Sequence, residues 1–148
     1  MEYKTRDEVP NEYKWDLSKM YSNESEIERD INKLNDITDE ILTYKSHILD
    51  NSDSLYDFLR ISDQHDRLLN KLYIYSKMNL DVDTKNNQNK ALKMKIEKLS
   101  ESLNEEFSFI EPEMMSSSYE NIKKYIEENE KLKEYEFYLE DFYRYKPH

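Results

Sequence analysis

Apolar residues recur along this chain every three or four positions, the spacing of helices that bury one face and leave the other wet. Ile27, Ile31, Leu34, Ile41 and Ile48, with Ile37 and Tyr44 beside them, lie among Asp, Glu, Lys and Asn. Asn23-Glu24-Ser25-Glu26 supplies a cap residue and an acid three positions later, so the first helix is predicted to start at Asn23 and to end near 44–48. The turn cluster Asp50-Asn51-Ser52-Asp53 offers caps for a second helix through Leu55, Phe58, Leu59, Ser62, Leu69, Leu72, Tyr73 and Ser76. It should run to about Leu80, roughly 40 Å at 1.5 Å per residue. Asp81-Val82-Asp83-Thr84 breaks or kinks it, and Asp83 or Thr84 can cap a third helix through Leu92, Ile96, Leu99, Leu103, Phe107 and Ile110.

Proline deep in a helix forfeits a backbone hydrogen bond, so Ile110-Glu111-Pro112-Glu113 predicts a sharp kink, or a stop followed by a new first turn. Ser117-Ser118-Tyr119-Glu120 has the pattern of a capping box ahead of Ile122, Tyr125 and Ile126. Asn129 and Glu130 separate that short helix from a last one holding Leu132, Tyr135, Tyr138, Leu139, Phe142 and Tyr143, ended by Pro147. Residues 1–22 read as an extended arm. Pro10 biases Val9 away from helix, and Tyr13, Trp15, Leu17, Met20 and Tyr21 are its apolar anchors, with a single turn capped by Asp16. The predicted fold class is all-α: an extended arm over 1–22, a long antiparallel helical hairpin or three-helix bundle over 23–111, and two shorter helices over 112–148. Stripes this narrow on a polar chain leave part of the apolar surface for a partner or for further sequence.

Composition sharpens this picture. There is no glycine among 148 residues, where average usage of about 7% would supply roughly ten. Hairpin turns and phosphate-cradling loops depend on positive φ and hence on glycine, so their absence favours long helices joined by Asn, Asp, Ser and Pro. A formal net charge of −11 argues against nucleic-acid and anionic-membrane partners, both of which are held by Lys and Arg. No stretch approaches the roughly 18 apolar residues of a membrane span, and Met1-Glu2-Tyr3-Lys4 lacks the apolar core of a signal peptide. With no cysteine there is no disulfide framework, and the expected address is cytoplasmic. Thirteen Tyr, five Phe and one Trp weigh against disorder despite the high charge.

Candidate chemistry is sparse. A zinc-peptidase helix needs two His four apart with a Glu between them, and neither His47-Ile48-Leu49-Asp50 nor His65-Asp66-Arg67-Leu68-Leu69 has this spacing, while His148 is terminal. Glu105-Glu106 and Glu127-Glu128 read as solvated helix faces rather than acid–base pairs. Ser116, Ser117 and Ser118 have no histidine nearby to activate them and are better read as caps. Met114-Met115 suits adaptable filling near Pro112. The aromatic run from Tyr135 to Tyr145 is expected to bury Tyr135, Tyr138 and Phe142 as one core face, with Tyr143 and Tyr145 half-exposed. No catalytic, cofactor-binding or metal-binding residue is assigned.

Several stretches, in order, resemble the beginning of the oligoendopeptidase F family. They are Arg6-Asp7-Glu8-Val9-Pro10, Tyr13-Lys14-Trp15-Asp16-Leu17 with Met20-Tyr21, and Leu72-Tyr73-Ile74-Tyr75-Ser76 followed by Asp83-Thr84 and Asn86. Phe107-Ser108-Phe109-Ile110-Glu111-Pro112-Glu113 is the most specific, and Tyr138-Leu139-Glu140-Asp141 with Arg144, Lys146, Pro147 and His148 completes the set. The resemblance implies the leading, non-catalytic helical part of a mostly helical zinc metalloendopeptidase that hydrolyses short peptides. It implies a wall of the substrate channel, and partners in the remainder of the same enzyme and in short peptides. Zinc would be held by a downstream His-Glu-x-x-His helix and a further Glu, to which no position here corresponds, so this part alone should be inactive. The competing reading is a stand-alone helical interaction module without enzymatic activity, whose uncovered apolar face binds a partner helix.

Overall fold

The computed structural model describes Tyr21, residues 23–82 and residues 87–145. The remainder of the expected arm, with Pro10 and Trp15, lies outside the described residues, as do the caps expected at Asp83 and Thr84, and Pro147 and His148. The described residues are helical without a strand: α1 (Glu24–Leu42), α2 (Ser52–Val82), α3 (Asn87–Glu106), α4 (Ile110–Met115), α5 (Tyr119–Glu128) and α6 (Glu136–Tyr145), with 3-10 turns at Phe107–Phe109 and Glu130–Tyr135. The all-α expectation holds.

The caps explain most of the boundaries. Asn23 Oδ1 accepts from the Glu26 N–H at 3.1 Å, and Asn51 Oδ1 accepts from the Ser54 N–H at 2.8 Å, which starts α1 and α2 as their turn residues predict. The end of α1 is earlier than expected. After Leu42 the backbone tightens into three-residue hydrogen bonds, from Thr43 N to Glu40 O and from Tyr44 N to Ile41 O, and Ser46 takes a left-handed φ of 70°. That conformation stops a helix and is normally given to glycine, which this chain lacks.

The expected third helix through Ile110 is also interrupted. It ends at Glu106, a 3-10 turn follows, and α4 places Pro112 in its first turn, where a missing N–H leaves no intrahelical bond unmade. Of the two predictions for Pro112, the stop with a new first turn is the one observed. The capping box at Ser117 is displaced by one residue. Ser118 is the N-cap of α5 and accepts from the Asn121 N–H at 3.4 Å, while Ser117 Oγ meets the Asn121 side-chain amide at 3.3 Å. Asn129 Oδ1 then accepts from the Lys131 N–H at 3.1 Å and opens a 3-10 turn, so the predicted last helix is divided at Glu136.

By contact the chain forms two compact units. One combines the described residues up to Asp36 with Asp66–Leu103, so it holds most of α1, the later part of α2, and most of α3. Ile27, Ile31, Leu34, Leu72, Ile96 and Leu103 are its buried apolar residues, and Ser76 is buried with them. Here α1 and α2 run antiparallel, Tyr21 meeting Tyr75 edge-on at 4.9 Å and Asp30 meeting Lys71 at 3.4 Å. The other unit combines Ile37–His65 with the described residues from Asn104 onward. Its core draws Ile41 and Ile48, then Leu55 and Phe58, and then Met114, Ile122, Ile126, Leu132, Leu139 and Tyr143.

Candidate functional site

The second unit is organised by Glu113, a residue of the stretch Phe107–Glu113. Its carboxylate accepts from the Ser46 N–H at 2.6 Å and from the Ile48 N–H at 3.0 Å, across sequence separations of 67 and 65 residues. These two donors belong to the turn that follows α1, where Ser46 is left-handed and no helix partner exists for them. A single carboxylate thus satisfies both and offsets the cost of a non-glycine residue at positive φ, about 1–3 kcal/mol. Two further side chains fasten the same segment: Tyr125 donates its hydroxyl to the Leu49 carbonyl at 2.8 Å, and the Asn129 amide donates to Asp53 Oδ1 at 2.8 Å. Tyr143 donates to the Met114 carbonyl at 2.6 Å in the interior, and burial pushes its phenol up to about 12.

The sequence-level candidates fall into structural roles. His47 is exposed and meets Asp50 Oδ2 at 2.8 Å, three residues along. His65 is 1% exposed on the inner face of α2, and its ring meets Phe107 edge-on at 4.9 Å. Its place in the apolar stripe between Ser62 and Leu69 was missed because a polar residue interrupts a hydrophobic pattern. Glu105, Glu106, Glu127 and Glu128 are all exposed, as their solvated-face reading requires. Ser118 is a cap, and Ser116 Oγ donates to the Glu113 carbonyl at 2.6 Å. Among the described residues no group of three or more His, Asp or Glu could hold a metal ion.

The aromatic run is arranged differently from expectation. Tyr143, predicted half-exposed, is 5% exposed, whereas Tyr138, predicted buried, is 53% exposed. The inner face of α6 is Leu139 and Tyr143, four apart, and its aromatic neighbours are Tyr119 at 5.7 Å and Phe142 at 5.3 Å from the Tyr143 ring. Counting aromatics could not choose between Tyr138 and Tyr143; the deciding contact is the Met114 carbonyl, 29 residues away.

The first unit has a cleft of its own, about 240 Å³, floored by Ile27, Ile31 and Leu92 and edged by Glu24, Glu28 and Lys95. At its side, Tyr21 donates to Asp30 Oδ2 at 2.7 Å, with the Lys71 ammonium 4.4 Å from the Tyr21 ring centre. Burial, aided by that hydrogen bond to Asp30, raises the Tyr21 phenol above its ordinary range. No described helix is long and apolar enough to cross a membrane.

Comparison with known proteins supplies what the geometry lacks. The family model described as Oligopeptidase F matches residues 113–148, which begin at the organising carboxylate. Group B oligopeptidase PepB of Streptococcus agalactiae is 28% identical over 143 residues, 97% of this chain but 24% of that protein. The plasmid-encoded oligoendopeptidase F of Lactococcus lactis subsp. cremoris is 31% identical over 152 residues, again 98% of this chain and 24% of the relative. In fold, the crystal structure of oligoendopeptidase F from Enterococcus faecium superimposes with a TM-score of 0.73 over 81% of this chain and 24% of that one, at 22% identity. The chain therefore spans about a quarter of the length of the curated relatives it matches. In sequence along nearly its whole length and in fold, the chain is similar to the N-terminal helical region of oligoendopeptidase F proteins.

Proposed function

We propose that this chain is the leading, non-catalytic part of a cytoplasmic zinc metalloendopeptidase that hydrolyses short peptides, and that its helices form one wall of the channel through which substrate reaches the metal. The observation carrying this reading is the match of nearly the whole chain to about a quarter of proteins named oligopeptidases. In such an enzyme a bound zinc ion would polarise the scissile carbonyl and activate a water. The contribution proposed for this chain is steric. Long, capped helices exclude folded protein and admit extended peptide. The Glu113 and Tyr143 tethers keep that wall from yielding.

Reading the source gene beyond His148 tests the proposal. A frame that continues into a His-Glu-x-x-His segment, with zinc-dependent cleavage of short peptides by the longer product, is the expected outcome. A genuine stop with no such segment, or a folded, zinc-loaded long product without peptidase activity, overturns it. The second reading, a stand-alone interaction module, draws on Phe137, which is 82% exposed. It requires a partner captured by the isolated chain through that residue.

A further inference from the structure

The last helix divides its aromatic residues between opposite sides. Leu139 and Tyr143 face inward, and the Tyr143 hydroxyl is held by the Met114 carbonyl at 2.6 Å. On the outer side Phe137 is 82% exposed and Tyr138 is 53% exposed. Tyr138 rests 6.2 Å from Phe142, whose ring is in turn 5.3 Å from Tyr143, so the outer aromatics stand on a helix already pinned from within. Tyr138, already resting against Phe142, loses little side-chain freedom when it is covered. Large, rigid aromatics of this kind are the residues that anchor interfaces.

We infer that the Phe137–Tyr138 face of α6 is the docking surface for the remainder of the longer polypeptide, an inference that rests on the peptidase reading above. Length favours this occupant, because relatives matched along 97% of this chain extend well beyond the quarter it spans. The family match covers residues 113–148 and so contains the whole of α6, which makes the helix part of the shared architecture and not a local addition. Charge disfavours a second copy. Glu136, Glu140 and Asp141 surround Phe137, with Arg144 paired to Glu140 at 3.5 Å, and a two-fold contact would press this acidic rim against itself. The complementary surface is an apolar pocket edged by Lys or Arg.

The test places a photo-crosslinking phenylalanine analogue at position 137 in a full-length graft, in which this chain replaces the matching quarter of the Streptococcus agalactiae relative. Crosslinked peptides should join position 137 to downstream segments within one polypeptide. In the isolated chain, sedimentation should show a monomer at micromolar concentration. F137E should leave the melting temperature of the isolated chain unchanged, while raising protease sensitivity of the graft at the junction by about tenfold. Adding the isolated chain in trans to the relative lacking its own first quarter repeats the crosslinking without a graft. Crosslinks between two copies, a dimer of the isolated chain abolished by F137E, or no crosslink in a folded graft would each overturn the proposal. A graft that crosslinks as expected but cleaves no peptide would instead sink the peptidase reading and leave the surface standing.

Discussion

The two units of this chain solve the same problem, satisfying backbone polar groups while burying apolar ones, by different means. In the first, stretches of three long helices satisfy most of their own donors and acceptors, and the contacts between them are apolar stripes with a polar cluster of Tyr21, Asp30 and Lys71 and an Asn89 amide that donates to the Asn79 carbonyl at 3.0 Å. In the second, three short helices and two 3-10 turns, packed with parts of α1 and α2, leave many termini, each with unmade bonds. There Glu113, Tyr125 and Tyr143 reach backbone groups 29 to 76 residues distant. Regular helices need only a pattern, whereas irregular chain needs particular side chains at particular distances.

The largest expected effect tests whether the apolar cores are nonetheless equivalent. Leu34→Ala and Leu139→Ala each remove a fully buried side chain, one per unit, and should each cost about 2–5 kcal/mol in denaturant unfolding. The polar tethers should then separate the units. Glu113→Ala removes the bonds to the exposed Ser46 N–H and the part-buried Ile48 N–H and should cost about 1.5–3 kcal/mol, since bonds to a charged group are the strong ones. Asp30→Asn in the first unit should cost less than about 1 kcal/mol, because its partner Lys71 is 42% exposed and water replaces the lost contact. Equal losses for these two substitutions would break the comparison.

Alkaline titration sharpens it further. The Tyr143 phenol is raised from 10.0 to about 12 by burial, so the unfolded chain releases this proton first. Its contribution is fully present below pH 10 and is lost as pH rises from about 10 to 12. Tyr143→Phe should flatten that part of the alkaline limb of a stability–pH curve. At neutral pH the same substitution should cost about 1 kcal/mol for the lost bond to Met114. Smallest of all, Phe137→Ser should shift the stability of the isolated chain by no more than about 0.5 kcal/mol, because that ring is already in water.

How far the fold was legible follows the same division. The starts of α1 and α2 were readable because Asn23 and Asn51 cap within three residues, a local event. The stripe of α1 was readable because Ile27, Ile31, Leu34, Ile37 and Ile41 repeat at the helical period. The end of α1 was not, since it depends on Ser46 accepting a left-handed backbone under the hold of Glu113, far along the chain. The displaced cap at Ser118 shows that three consecutive serines present equivalent local choices, which packing of α5 then decides. For the functional reading, ordered short motifs pointed to the family, while the residues gave no catalytic constellation to locate.

What the sequence by itself determined is therefore the helical class, the inner face of α1 and an interruption near Pro112, because each follows from spacing or from a backbone donor that proline lacks. Tertiary structure alone decided that His65 belongs to the core, that Tyr143 and not Tyr138 turns inward, and that Glu113 serves the turn after α1. Those choices depend on which ring or polar group lies alongside after folding, a relation between distant residues that no local pattern contains.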